Sequence, residues 1–214
     1  MDQPQHAPER EGRSASKRRA IVEAATEAFL RSGYRGTSMD EIAAAAGVSK
    51  QTVYKHFADK ERLFAEIVRA RVDEASTPVS EGVRGLRDSG SLEADLRELA
   101  RRQLDLVMQP RILQLRRLVI SEAARFPELG RTFYEQGVER AVAALASTFE
   151  ALAARGLLVV PDSKVAATHF NWLIMSGPMN RAMLLGLDVA PPAKELDRWA
   201  DEGVRTFLAA YGAR

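Results

Sequence analysis

The 214-residue sequence predicts an all-α fold. Three observations carry this. From Lys17 onward apolar residues recur at three- and four-residue spacing, with no sustained alternation of the kind a strand shows. Long Ala-, Leu-, Arg- and Glu-rich stretches are punctuated by Gly, Pro and Ser. Hydrophobic residues make up 46% of the chain, enough to fill a core between helices. The expected architecture is a small N-terminal three-helix domain, a linking helix, and a larger helical C-terminal domain.

Residues 1–16 carry no apolar period and contain Pro, Gly and Ser, so a disordered arm is expected there. A first helix follows over 17–32. Ile21, Ala25, Ala28 and Phe29 line one face of it, and Gly33 stops it. Ser38-Met39-Asp40-Glu41 is a capping box, with the serine as cap and Glu41 three residues on. It opens a second helix with an apolar stripe of Met39, Ile42, Ala43 and Ala46, closed by Gly47. Ser49 caps a third helix that ends near Phe57, with Val53 and Phe57 facing inward. Asp59 is the expected cap of the linking helix, 60–75, whose apolar side is Leu63, Phe64, Ile67 and Val68. Thr77 to Ser91 reads as a loop. Five further helices are expected near 92–108, 111–124, 128–155, 163–186 and 193–211, bounded by Pro110, Pro127, Gly156, Pro161 and Pro191-Pro192. The resulting segmentation is an arm at 1–16, a first domain at 17–60 and a second at 61–214.

Several function classes drop out at once. There are no cysteines, which excludes disulfides, thiolate catalysis and Cys-based zinc sites. The polar N-terminus lacks the apolar run of a signal peptide, so a cytoplasmic location is expected. Phe170 to Leu187 is apolar but contains Asn171, Asn180, Arg181 and Gly177-Pro178, and reads as a buried helix rather than a membrane span. Net charge is only +2, but its distribution is uneven. Between residues 17 and 60, eight Lys and Arg face five Asp and Glu, while the rest of the chain is close to neutral. A basic end on a neutral body suits phosphate, and equally suits a solvated surface.

The two short helices joined at Ala46-Gly47-Val48-Ser49 have the helix-turn-helix pattern. In that motif the first helix braces across the phosphate backbone and the second lies in the major groove. The second helix carries suitable chemistry. Gln51 can pair with adenine, Lys50 can donate to guanine, and the Thr52 methyl can touch thymine. Tyr54, Lys55 and His56 offer donors to phosphate oxygens, as do Lys60 at the next helix start and Thr37 before the capping box. Each residue also has an ordinary explanation. Lys50, Gln51 and Lys55 are what any helix surface carries, Tyr54 could be a core aromatic with a wet hydroxyl, and His56 could be a plain surface histidine.

The longer string distinguishes these readings. Residues 33–64, with Gly33-Tyr34, Thr37-Ser38, Ile42-Ala43, Ala46 to Ser49, Thr52-Val53-Tyr54, His56-Phe57, Lys60-Glu61 and Leu63-Phe64, closely resemble the DNA-binding region of the TetR/AcrR family of bacterial regulators. The resemblance implies phosphate contacts from Tyr54, His56 and Lys60, and a recognition helix over Ser49 to Lys55. The full expected DNA-contacting set is Thr37, Ser38, Ser49, Lys50, Gln51, Thr52, Tyr54, Lys55, His56 and Lys60.

Residues 118–137, Ala154 to Leu157, Ala166 to Phe170 and Leu184 to Gly186 resemble the C-terminal domain of AefR-like members, which implies a helical ligand-binding and dimerisation domain. One helix-turn-helix makes too few contacts for specificity, so a homodimer reading two half-sites of double-stranded operator DNA is expected. Candidates for the dimer face are Trp172, Met179, Leu196, Trp199 and Phe207. Met175 could belong to it or to a mostly apolar effector pocket with Leu104, Met108, Leu115, Phe133 and Asn171. All of these could equally fill the intrachain core. His169, alone on an apolar stretch, reads as a satisfied core residue. The expected function is a ligand-responsive repressor, released by a small apolar or amphipathic effector, with no cofactor or metal. An enzyme would need a nucleophile–base pair, clustered metal ligands or a phosphate loop, and the sequence offers none of these. A ligand-free DNA-binding protein stays open.

Overall fold

The computed structural model describes residues 7–70, 86, 90–186 and 191–213. Its helices are α1 (Ala7–Gly36), α2 (Met39–Ala45), α3 (Lys50–His56), α4 (60–70), α5 (Leu92–Val107), α6 (Pro110–Glu122), α7 (Pro127–Phe133), α8 (Arg140–Ala154), α9 (Ser163–Leu185) and α10 (Ala193–Tyr211). Among the described residues, no helix is long and apolar enough to cross a membrane.

Helix α1 begins at Ala7, inside the stretch expected to be a disordered arm. The missing apolar period at 7–16 shows that no core-facing stripe exists there. It does not bar a helix that contains Ala, Glu and Arg with its proline in the first turn. Positions 1–6 lie outside the described residues, as do 71–75 of the expected linking helix and most of the expected loop. Within α1, Gly33 breaks the helical conformation with φ 74°. That left-handed geometry suits glycine, and it ends the first helix where the sequence indicates.

By internal contacts the chain divides into one unit of residues 1–70 with 118–132, and another of 71–117 with 133–214. This differs from the 17–60 and 61–214 segmentation, because α4 and residues 118–132 belong with the helix-turn-helix. In the first unit α1 packs on α2, and α2 on α3. Phe29, Tyr34 and Phe64 form a tight aromatic trio with centroids 5.1–5.4 Å apart, and Phe126 joins Tyr34 at 4.8 Å. Ile21, Ile42, Val53 and Leu63 are fully buried around the same core.

The second unit is built on α5, α8, α9 and α10, with α10 packed on both α5 and α9 and α8 packed on α9. Phe149, Phe170 and Phe207 are fully buried and stack at 5.0–5.6 Å. Gly203 permits close packing of α10 on α9, since a Cβ there would lie 3.2 Å from Ile174. The single helix expected at 128–155 is in fact α7, a π-helical segment at Tyr134–Glu139, and α8. The inserted wider turn leaves the sequence period nearly unchanged, so periodicity could not reveal it.

Candidate nucleic-acid interface

The helix-turn-helix is held by local devices that the sequence encodes directly. Ser38 Oγ accepts from the Glu41 amide at 3.2 Å, and Glu41 Oε2 accepts from the Ser38 amide at 2.7 Å. The Ser38 amide and the Ser38 hydroxyl, the latter at 3.0 Å, both donate to the Glu41 carboxylate and hold its pKa below the usual value. Gly47 takes φ 64° at the turn. Ser49 Oγ accepts from the Thr52 amide at 3.2 Å and shares a hydrogen with Thr52 Oγ1 at 2.9 Å. Ser38 and Ser49 thus sit at the two helix starts as caps, and Thr52 is half-buried beside its cap.

Helix α3 divides cleanly into two faces. Val53 and the following Phe57 are buried, while Lys50, Gln51, Tyr54 and Lys55 are exposed. Positions i, i+1, i+4 and i+5 share one side of a helix, so these four polar side chains form a continuous outward face. Tyr54 is 46% exposed, which removes the core-aromatic explanation. His56 is half-buried, and its pKa lies below the ordinary value. Burial is the main cause, followed by the charges of Lys55, Arg18 and Lys17.

Two expected contacts are rearranged. Thr37 is buried, and its Oγ1 lies 3.1 Å from the Ala28 carbonyl and 2.9 Å from the Gly33 carbonyl. Its hydroxyl therefore faces inward and ties α1 to the start of α2, so the side-chain phosphate contact is corrected to a structural bond. Lys60 Nζ donates to the Tyr34 and Thr37 carbonyls, each at 2.8 Å, and sits 4.6 Å above the Tyr34 ring. The ammonium that was expected to meet a phosphate is turned to the protein. Burial lowers its pKa, and burial, with Glu61 and Asp59 next, pushes the Tyr34 hydroxyl up to about 12. Lys60 joins groups 23 and 26 residues away, a pairing that local patterns do not reveal.

Lys50 also has a partner. Its ammonium is 2.8 Å from Asp40, with both side chains exposed. The pairing crosses the turn from α2 to α3, and DNA would have to exchange with it.

The second unit corrects part of the dimer and pocket assignments. Phe207 is fully buried in the aromatic stack, and Leu196 and Met179 belong to the same core, so these three are core residues. Trp172 and Trp199 are 40% and 42% exposed. Trp199 Nε1 donates to the Leu173 carbonyl at 3.2 Å, and its ring covers Gly177, where a Cβ would come within 2.2 Å. Leu184 and Leu185, absent from the expected face, are strongly exposed at the end of α9. Of the pocket candidates, Leu104, Met108 and Met175 lie in the core cluster. Leu115 is buried outside that cluster, and Phe133 is half-buried beneath Arg116. Asn171 is buried and accepts from Gln103 Nε2 at 3.0 Å. Gln103, missed by sequence reasoning, keeps its Oε1 buried without a partner among the described residues. A cleft of about 170 Å³ is lined by Gly177, Pro178, Arg181, Pro191, Glu195 and Trp199, none of them among the expected pocket residues. His169 is exposed and bonded to Tyr211 at 2.7 Å, so it is a surface residue rather than a core one.

A helix-turn-helix unit with a polar recognition face, on a chain whose larger part is helical, defines a DNA-binding transcription regulator. The comparisons identify which kind. The profile for bacterial regulatory proteins of the tetR family matches residues 21–67, and that for the AefR-like transcriptional repressor C-terminal domain matches 94–213. A solved TetR-family regulator from Mesorhizobium loti is 46% identical, with a TM-score of 0.89 over 94% of this chain and 99% of that one. The chain belongs to the TetR family. The flavonoid-responsive regulator FrrA is 33% identical, with a TM-score of 0.74 over 92% of this chain and 98% of its own. FasR of Mycolicibacterium smegmatis, a transcriptional activator, is 37% identical over 73 residues, 34% of this chain and 33% of FasR. Alignments with the curated relatives that head the comparison span 33–42% of those relatives' length.

Proposed function

We propose that the chain is a ligand-responsive repressor that binds a palindromic operator as a homodimer and leaves it when a small apolar or amphipathic effector binds. The observation that carries the DNA-binding part is the outward face of α3. Gln51 and Lys50 supply base-edge chemistry, and Tyr54, Lys55 and His56 supply phosphate donors. Ser38, Ser49, Thr37 and Lys60 act as positioning residues, with the amides at the start of α4 left for a phosphate. Repression is favoured by the AefR-like repressor profile over the C-terminal part. Ligand response is supported by the likeness to the flavonoid-responsive regulator FrrA. The exposed Trp172, Trp199, Leu184 and Leu185 are the proposed dimer face. An effector changes DNA affinity only through different affinities for the two protein states.

The test is a titration against the DNA upstream of the chain's own gene, beside scrambled DNA of equal length. Gln51→Ala and Tyr54→Phe variants run in parallel. Tight binding to one DNA, weakened about 10-fold by Gln51→Ala, supports base readout. Equal weak binding to both DNAs refutes specific recognition of that site. Transcription in vitro from the same DNA separates repression from activation.

A further inference from the structure

Two adjacent arginines on α6 meet different fates. Arg117 donates through one Nη to the carbonyls of Ala182 and Met183, at 2.6 and 2.9 Å, so it ties α6 to the end of α9. Arg116 has no such task. Its guanidinium carbon lies 5.1 Å from the centroid of the Phe133 ring. Its Nε is buried and has no hydrogen-bond partner among the described residues. Burial lowers its pKa, and no carboxylate among the described residues offsets this. Leu113, one turn back on the same helix, is fully buried and apolar.

A guanidinium keeps its charge in proteins. Arg116 is half-buried, so part of this group is withdrawn from water at a cost, and burial alone does not explain why this position is arginine. A planar fork of N–H donors placed 5.1 Å from an aromatic ring centroid suits a carboxylate, which accepts two parallel hydrogen bonds. Phe133 is the last residue of α7, immediately before the π-helical segment Tyr134–Glu139. Such segments occur frequently at functional sites.

We propose that Arg116, backed by Phe133, anchors the carboxylate of an organic-acid effector in the second unit. This deepens the sensor reading and rests on it for its biological meaning. The apolar remainder of the acid would lie against the neighbouring hydrophobic side chains, while the guanidinium replaces the water that the carboxylate loses.

The test uses the full chain and two matched probe pairs, benzoate with benzamide and octanoate with octanamide. Binding is read by thermal shift, and release by the upstream-DNA titration. The expected result is that one acid binds at least about 10-fold more tightly than its amide. Arg116→Met should remove that preference and leave amide binding unchanged, and Arg116→Lys should keep part of it. A second readout needs no ligand. Arg116→Met replaces a half-buried cation by an apolar side chain, so the free protein should melt no lower than the wild type. Equal binding of acid and amide overturns the proposal, as does an acid preference that survives Arg116→Met, or a lower melting point for that variant. If neutral compounds release DNA without any acid preference, the sensor reading stands and the Arg116 assignment falls. If an acid binds through Arg116 but DNA is never released, the site stands and the sensor reading falls.

Discussion

Lys60 offers the sharpest test of the structure against the family expectation, because the two assign different work to one ammonium group. In the structure Nζ makes two 2.8 Å bonds to the Tyr34 and Thr37 carbonyls and lies 4.6 Å above the Tyr34 ring. A hydrogen bond from a charged donor contributes about 1.5–3 kcal/mol, and a partly exposed cation–π contact about 0.5–1 kcal/mol. Lys60 is half-buried, so water can re-solvate part of what a truncation exposes. The net cost of Lys60→Ala is then about 2 kcal/mol, below the simple sum of the contacts because water replaces part of them. For a chain of this size that lowers the melting temperature by about 4–8 °C. Differential scanning calorimetry gives the melting temperature, and DNA titration over a salt series gives the phosphate count. If Lys60 braces the fold, stability falls and the log–log salt slope is unchanged. A phosphate contact would instead remove about 0.9 from the slope with little loss of stability. An unchanged melting point with a shallower slope would refute the bracing argument.

Other perturbations follow from the same geometry. Asp40→Asn releases Lys50 from its ion pair, so operator affinity should rise about 3- to 10-fold at low salt and converge with the wild type at high salt, measured by fluorescence anisotropy. His56 is held below its ordinary pKa in the free protein, and a nearby phosphate would raise it. Binding would then take up a proton, and affinity should increase as pH falls through the range below about 6.5, a dependence that His56→Gln should abolish. The same depressed pKa means that the folded state binds fewer protons than the unfolded chain, so the stability that His56 contributes is lost as pH falls through its folded value. In Gly177→Val the new Cβ would fall 2.2 Å from the Trp199 ring, so the indole must leave its bond to the Leu173 carbonyl. A shift in tryptophan emission should report it, and an unchanged spectrum would contradict the packing.

Much of the fold was legible in the sequence because it depends on neighbours along the chain. The capping box at Ser38, the cap at Ser49, and the glycines at 33 and 47 each act over a few residues, and each appears where the pattern places it. The exposed and buried faces of α3 follow from helical period alone. By itself, then, the sequence determined an all-α chain with an N-terminal helix-turn-helix and an outward polar face. Tertiary structure decided what crosses long separations. It turned Thr37 and Lys60 inward, put Phe207, Leu196 and Met179 in the core, and paired Gln103 with Asn171 over 68 residues. It also left the Nε of Arg116 and of Arg117 buried without a partner among the described residues, although Arg117 reached two carbonyls through Nη. An amphipathic period states that a side chain faces a partner, but the identity of that partner depends on how the helices pack.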